Sequence, residues 1–161
     1  MAKAVLISIH PKWCELIASG KKMVEIRKNK PKLETPFKCY IYQTKGGNVI
    51  GEFVCDEIER FSIDPKYDNI TLSRMSFFSC VTTPQLQDYA SDYWLYGWRI
   101  SGLVIYDTPK KLSEFMKPCE SDLYCEACAM FREFEDRCGN AALNLHRPPQ
   151  SWCYVEEDDH A

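Results

Sequence analysis

The stretch Gly20-Lys21-Lys22-Met23-Val24-Glu25-Ile26-Arg27-Lys28 decides how the chain is read. It follows a short helical pattern and has the make-up of a β-strand, yet it carries ionisable residues where a plain core strand would carry none. Strand alternation sends Met23, Glu25 and Arg27 to one face and Lys22, Val24, Ile26 and Lys28 to the other. A Glu and an Arg two apart on one face hold each other and offer a fork of donors to an anion. The plain alternative is a solvated strand face whose surface ion pair adds little stability.

Outward on the N-terminal side, Ala4-Val5-Leu6-Ile7-Ser8-Ile9 is an apolar, β-branched strand expected to be central. His10-Pro11 ends it and opens a helix, because proline is well tolerated at the first helical position. Trp13, Leu16 and Ile17 give that helix an apolar stripe, and Gly20 supplies its stop. On the C-terminal side, Lys28-Asn29-Lys30-Pro31-Lys32 is a basic loop that either tracks phosphates or is simply solvated.

Residues 37–44 alternate and pair with 49–55 across Gly46-Gly47-Asn48 as a hairpin. Residues 57–61 continue or leave that sheet, and 62–82, with no clear period, read as loop with some strand. Thr83-Pro84 starts a short helix to about Ala90, capped by Thr82 or Thr83. Tyr89, Tyr93, Trp94, Tyr96 and Trp98 then form an aromatic cluster, which either stacks on bases or fills the core and rim. Residues 98–106 read as a strand with a bulge at Gly102, broken by Asp107-Thr108-Pro109. Residues 111–116 read as a helical turn.

A chain of 161 residues with 45% hydrophobic and 27% charged content is one folded domain and not a disordered segment. No apolar run approaches the ~20 residues that span a bilayer. The N-terminus lacks the pattern of a signal peptide, so a cytoplasmic protein without a membrane partner, and a monomer, is expected. The net charge of −3 is unevenly spread: residues 1–50 hold 10 Lys/Arg against 3 Asp/Glu, and residues 51–161 hold 10 against 20. A basic face on an acidic remainder suits a local site for an anionic ligand. The acidic part could equally serve a basic protein partner, or the two halves could intermix in space.

Cys14, Cys39, Cys55 and Cys80 are scattered and read as small buried apolar residues. Cys119, Cys125, Cys128 and Cys138 have the spacing C-x5-C-x2-C-x9-C, in which a C-x2-C pair brings two thiolates to one ion and two more complete a tetrahedron. Ala127, Met130, Phe131 and Phe134 recur at helical spacing between them. A structural zinc holding a small helical insertion is the expectation, with His146 as reserve ligand. A redox pair at Cys125/Cys128 and unligated thiols are the alternatives. Four closed thiolates leave no position for a catalytic water.

The pattern Gly-x-Lys-x-x-Glu-x-Arg at Gly20, Lys22, Glu25 and Arg27, preceded by Ile7-Ser8-Ile9-His10-Pro11-Lys12, resembles the ASCH (activating-signal-cointegrator homology) family. Further matching stretches follow in order: Tyr96-Gly97-Trp98-Arg99-Ile100-Ser101, Ile105-Tyr106-Asp107 and Lys111-Leu112-Ser113-Glu114-Phe115. Arg147-Pro148-Pro149-Gln150-Ser151-Trp152-Cys153-Tyr154-Val155 is similar to the end of longer ASCH proteins of phage and gut bacteria, which carry a similar Cys cluster. The resemblance implies an α+β fold: a PUA-like mixed β-barrel with flanking helices and a cleft beside the first helix. It gives a barrel over 1–108, a Cys-rich zinc-binding insertion over 109–150, a closing strand over 151–156 and an acidic tail over 157–161.

It also implies binding of RNA, in preference to DNA, or of a nucleotide. Lys22, Glu25, Arg27 and Lys28 are the candidate ligand-binding residues, with Lys22 and Arg27 on phosphate. A second reading is an inhibitor of a host nucleic-acid enzyme, of anti-CRISPR type, acting by protein–protein binding. A third is an enzyme. Some small ASCH proteins resemble amidohydrolases of acetylated cytidine, with a catalytic Lys and Thr on the strand after the helix and a Glu elsewhere. Lys22 stands at the Lys position, but Glu25 stands at the Thr position, and a carboxylate is not the hydroxyl that acyl transfer would use. Ribonuclease chemistry could cast Lys22 and Glu25 as acid and base. Ser/His/Asp, Walker and HExxH patterns are absent from the sequence, and the balance falls toward a non-enzymatic binding protein.

Overall fold

The computed structural model describes residues 3–119 and 140–157. Its elements are β1 (Lys3–Ile9), α1 (Pro11–Ala18), β2 (Val24–Arg27), β3 (Phe37–Gln43), β4 (Asn48–Ser62), α2 (Pro65–Ser79), α3 (Thr83–Tyr89), β5 (Trp94–Lys111) and β6 (Trp152–Glu156). Single helical turns lie at Leu112–Glu114 and Ala141–Leu143. The strands form one mixed sheet in the order β2-β5-β4-β3-β1-β6. The β1–β3 pair is parallel and the other pairs are antiparallel.

β1 reads as an unbroken apolar run because it is covered on both faces, as strands of that kind are. Val5, Ile7 and Ile9 join Cys39, Ile41, Phe53, Cys55 and Trp98 inside the curled sheet, under Cys14 and Ile17 of α1. Ala4 and Leu6 pack outward with Tyr40, Val49, Leu112, Phe115, Leu145 and Val155. Each fully buried Leu or Ile in these layers stabilises the fold by about 1.5–3 kcal/mol.

The expected barrel is closed between its edge strands by side chains. Arg27, at the end of β2, donates to the Ser8 carbonyl of β1 (2.7 Å) and to the Ser151 carbonyl and Oγ just before β6 (3.3 and 3.1 Å). Trp152 Nε1 donates to Asn29 Oδ1 (2.9 Å), and the Lys32 backbone N–H donates to the Tyr154 hydroxyl (2.7 Å). The loop after β2 is thus fastened to β6, although the Lys28, Lys30 and Lys32 side chains are exposed.

Three sequence expectations change. Residues 65–79 form a helix, not loop and strand. Leu72 and Met75 face the core, while Tyr67, Ile70 and Phe77 are exposed on the outer side, Ile70 at 82% and Phe77 at 77%. Apolar residues on opposite sides erase the one-sided period by which a surface helix is recognised. Asp107-Thr108-Pro109 does not end β5. The register with β4 moves from Gly51↔Ile105 to Val49↔Lys110, so these residues sit in a wide bulge where Pro109 forfeits no ladder bond. Cys80 is not a core residue: partly exposed, it ends α2 with a left-handed φ of 60°.

The other expectations on the described residues hold. Gly102 takes φ +55° at a second bulge of β5, and Thr82 caps α3 with Gln85 closing a capping box. Residues 57–61 continue β4. The flanks of the Cys-rich stretch pair with each other through Lys117 N–H to the Leu143 carbonyl (2.8 Å) and Leu145 N–H to the Phe115 carbonyl (2.9 Å). Among the described residues no helix is long and apolar enough to cross a membrane.

Candidate nucleotide cleft

β2 is short and buried along its length, so its alternation divides two environments. Val24 and Ile26 pack with Phe61, Leu72, Met75, Leu86 and Leu95 under α2 and α3. Glu25 and Arg27 face the opposite way, into a cleft beside α1. Lys22 joins them there, contrary to the alternation drawn from the sequence. β2 begins only at Val24, and Lys22 lies in the connection before it, where the backbone N–H of Lys22 bonds the Leu16 carbonyl of α1 (3.0 Å).

Lys22, Glu25 and Arg27 are 2%, 6% and 8% exposed. Charges so removed from water persist only when paired and hydrogen-bonded. Arg27 Nε and Nη2 lie 3.1 and 3.0 Å from Glu25 Oε1. Lys22 Nζ donates to the Ser79 carbonyl at the end of α2 (2.7 Å) and lies 3.4 Å from Glu25 Oε2. An ammonium there meets the negative end of the helix dipole. The trio carries one net positive charge. Arg27 uses Nε, Nη1 and Nη2 on Glu25, Ser8 and Ser151, so its fork serves the protein's own closure. Glu25 Oε2 is buried without a hydrogen-bond partner.

These three side chains line a cavity of about 390 Å³ that is also lined by Ser8, His10, Trp13, Thr44, Gln85 and Tyr89. Two walls are aromatic, and each carries a lysine: Lys12 Nζ lies 4.7 Å from the Trp13 ring centroid, and Lys28 Nζ lies 4.9 Å from that of Tyr89. Lys22 Nζ approaches Trp13 as well (4.9 Å). Burial raises the Tyr89 hydroxyl pKa, partly offset by the Arg27 charge. Burial, with the Glu25 charge second, pushes the Cys14 thiol to about 12.

Of the predicted ligand residues, Lys22, Glu25 and Arg27 come together, and Lys28 stands at the cleft through Tyr89. Within the predicted aromatic cluster Trp98 is core, and Trp94 packs under Arg60 (4.1 Å) and against Tyr67. Trp13 was read as part of a core stripe; its half-buried ring lines the cleft instead. Gln85 and Thr44 carried no sequence signal as site residues. Of the predicted zinc ligands Cys119 is half-buried, and Cys125, Cys128 and Cys138 lie outside the described residues. His146 is exposed, and among the described residues no three His, Cys, Asp or Glu side chains converge on a metal-sized space.

A curled mixed sheet flanked by helices, with a charged cleft beside the first helix, defines an α+β fold of PUA-like type. The sequence matches the model of the ASCH domain family over residues 7–97, more than half of the chain, and the chain belongs to that family. Every residue lining the cleft falls inside the match. Among solved structures, the ASCH protein from Zymomonas mobilis aligns at TM-score 0.60 and 21% identity, over 96% of this chain and 88% of that one. A point mutant of the same protein aligns at TM-score 0.60 and 21% identity over 97% and 92%. At that identity the likeness is one of fold. No curated protein sequence matches the chain.

Proposed function

We propose that the chain is a non-enzymatic RNA-binding protein that takes one unpaired nucleotide into the cleft between Trp13 and Tyr89. The observation that carries this reading is a net-positive cavity of about 390 Å³ whose two aromatic walls each hold a lysine. Sequence-specific RNA recognition works on splayed bases that stack on aromatic rings, while lysines meet the flanking phosphates. In this arrangement Tyr89 stacks and Lys12 and Lys28 contact phosphate. Arg27 positions Glu25 and joins β2 to β6. Family membership supports RNA, since ASCH domains are associated in general with RNA binding.

A structural zinc on Cys119, Cys125, Cys128 and Cys138 is part of the same reading, supported by their spacing and by the paired flanks that hold Cys119 near residue 140. Binding of single-stranded RNA, structured RNA and DNA over a salt series tests the function. Single-stranded RNA should bind with a salt-dependent affinity. Tyr89→Ala should weaken it by about 1–3 kcal/mol, and Lys28→Ala should flatten the salt slope. Absence of RNA binding by the folded protein would turn attention to a protein partner, for which the exposed Tyr67, Ile70 and Phe77 of α2 offer a surface.

A further inference from the structure

Glu25 presents two chemically different oxygens. Oε1 accepts from Arg27, whereas Oε2 is removed from solvent, has Lys22 Nζ at 3.4 Å as its ion-pair partner, and accepts no hydrogen bond. A buried acceptor left in that condition is rare, because the lost hydration goes unreplaced. Here the carboxylate lines a cavity with aromatic walls, where an arriving N–H would make a charge-assisted hydrogen bond. Its orientation is fixed beforehand by Arg27 and Lys22. The other such atom among the described residues, Trp98 Nε1, belongs to the interior cluster and not to the cavity lining.

We propose that Glu25 Oε2 reads the base: the cleft accepts a nucleobase whose Watson–Crick edge presents an N–H to this oxygen and rejects a base alkylated there. The inference rests on the cleft being the RNA site. Uracil offers N3–H on that edge, guanine N1–H and its amine, and adenine and cytosine their exocyclic amines. Each of these protons is engaged when the base is paired, so one acceptor oxygen also excludes duplex. A carboxylate repels a bare carbonyl or ring-nitrogen acceptor in the same position. The site therefore selects single strands through a side-chain contact as well as through shape.

The test uses the full chain and octameric homopolymers of the four ribonucleotides. The tightest binder is made again with its Watson–Crick N–H methylated. Wild-type protein should bind the unmodified octamer roughly tenfold or more tighter than the methylated one, and Glu25→Gln should narrow that ratio. Because Glu25→Gln also disturbs the Lys22 and Arg27 pairings, the wild-type comparison of the two octamers decides independently of the variant's stability. Equal affinity for both octamers, still weakened by Tyr89→Ala, overturns the reading of Glu25 and leaves the cleft as the RNA site. Binding that Tyr89→Ala leaves unchanged, or no binding to any octamer, overturns both.

Discussion

Two ionic clusters of the same chemistry sit on opposite sides of β2 and β5. In the cleft, Lys22, Glu25 and Arg27 are buried and hydrogen-bonded to backbone from α2, β1 and the approach to β6. Outside, Arg99 reaches Asp56 and Glu57, and Arg74 reaches Glu59, all at 2.7 Å. The outer contacts are at least as short as the inner ones, yet distance does not decide what they do. Water screens the outer groups and frees them to move, so they contribute little. The inner groups cannot leave, and removing one strands the others. Burial turns an ion pair into a fixed scaffold with one oxygen to spare.

The largest test of this contrast is Arg27→Met, which leaves Glu25 Oε1 without its donors and unfastens Ser8 from Ser151. It should cost about 3–5 kcal/mol, a fall in Tm of roughly 6–20 °C by calorimetry. Adding Glu25→Leu should recover much of that loss by removing the stranded charge. Lys22→Met, which leaves Glu25 held by Arg27, should cost less, about 1–3 kcal/mol in urea denaturation. A smaller loss than either is expected on chelation of zinc. Elemental analysis should find the metal, and Cys125→Ser/Cys128→Ser should lose it while the sheet stays folded.

pH sharpens the comparison in opposite directions. Cys14, beside Glu25, has its thiol raised from 9.0 to about 12, chiefly by burial. The corresponding stability is complete below pH 9.0 and is lost as pH rises from there toward 12. Cys14→Ala should flatten the alkaline limb of a Tm-against-pH curve. Asp56 is held below the usual carboxylate range by hydrogen bonding to Arg99. Its contribution is present above that range and fades as pH falls through the lowered value. Because the pair is exposed, added salt should shrink that acid limb. The smallest effect belongs to Arg74→Ala, under ~1 kcal/mol. A loss as large as that of Arg27→Met would break the distinction between the two clusters.

Much of the scaffold was legible residue by residue. β1 announced itself by its β-branched run, α1 by Pro11 and Gly20, the hairpin by Gly46-Gly47-Asn48, and α3 by Thr82 and Gln85. Glu25 and Arg27 stood out as charges in a strand. α2 was hidden because its outer face is as apolar as its inner one. Its loss from the sequence reading also hid the Ser79 carbonyl that anchors Lys22.

The sequence by itself determined which residues form the strands, which faces of them are apolar, and which charged residues must find partners. Tertiary structure decided who those partners are. Ser151 lies 124 positions from Arg27, and no local period carries that information. The curl of the sheet brings β2 to β6, and α3 brings Tyr89 opposite Trp13 across the cleft. Periodicity reports how each segment divides water from core, and that division is a local property. The meeting of two distant polar groups depends on how every segment packs at once, which is why the offer of Arg27's donors to a ligand could be read from the sequence and their internal use could not.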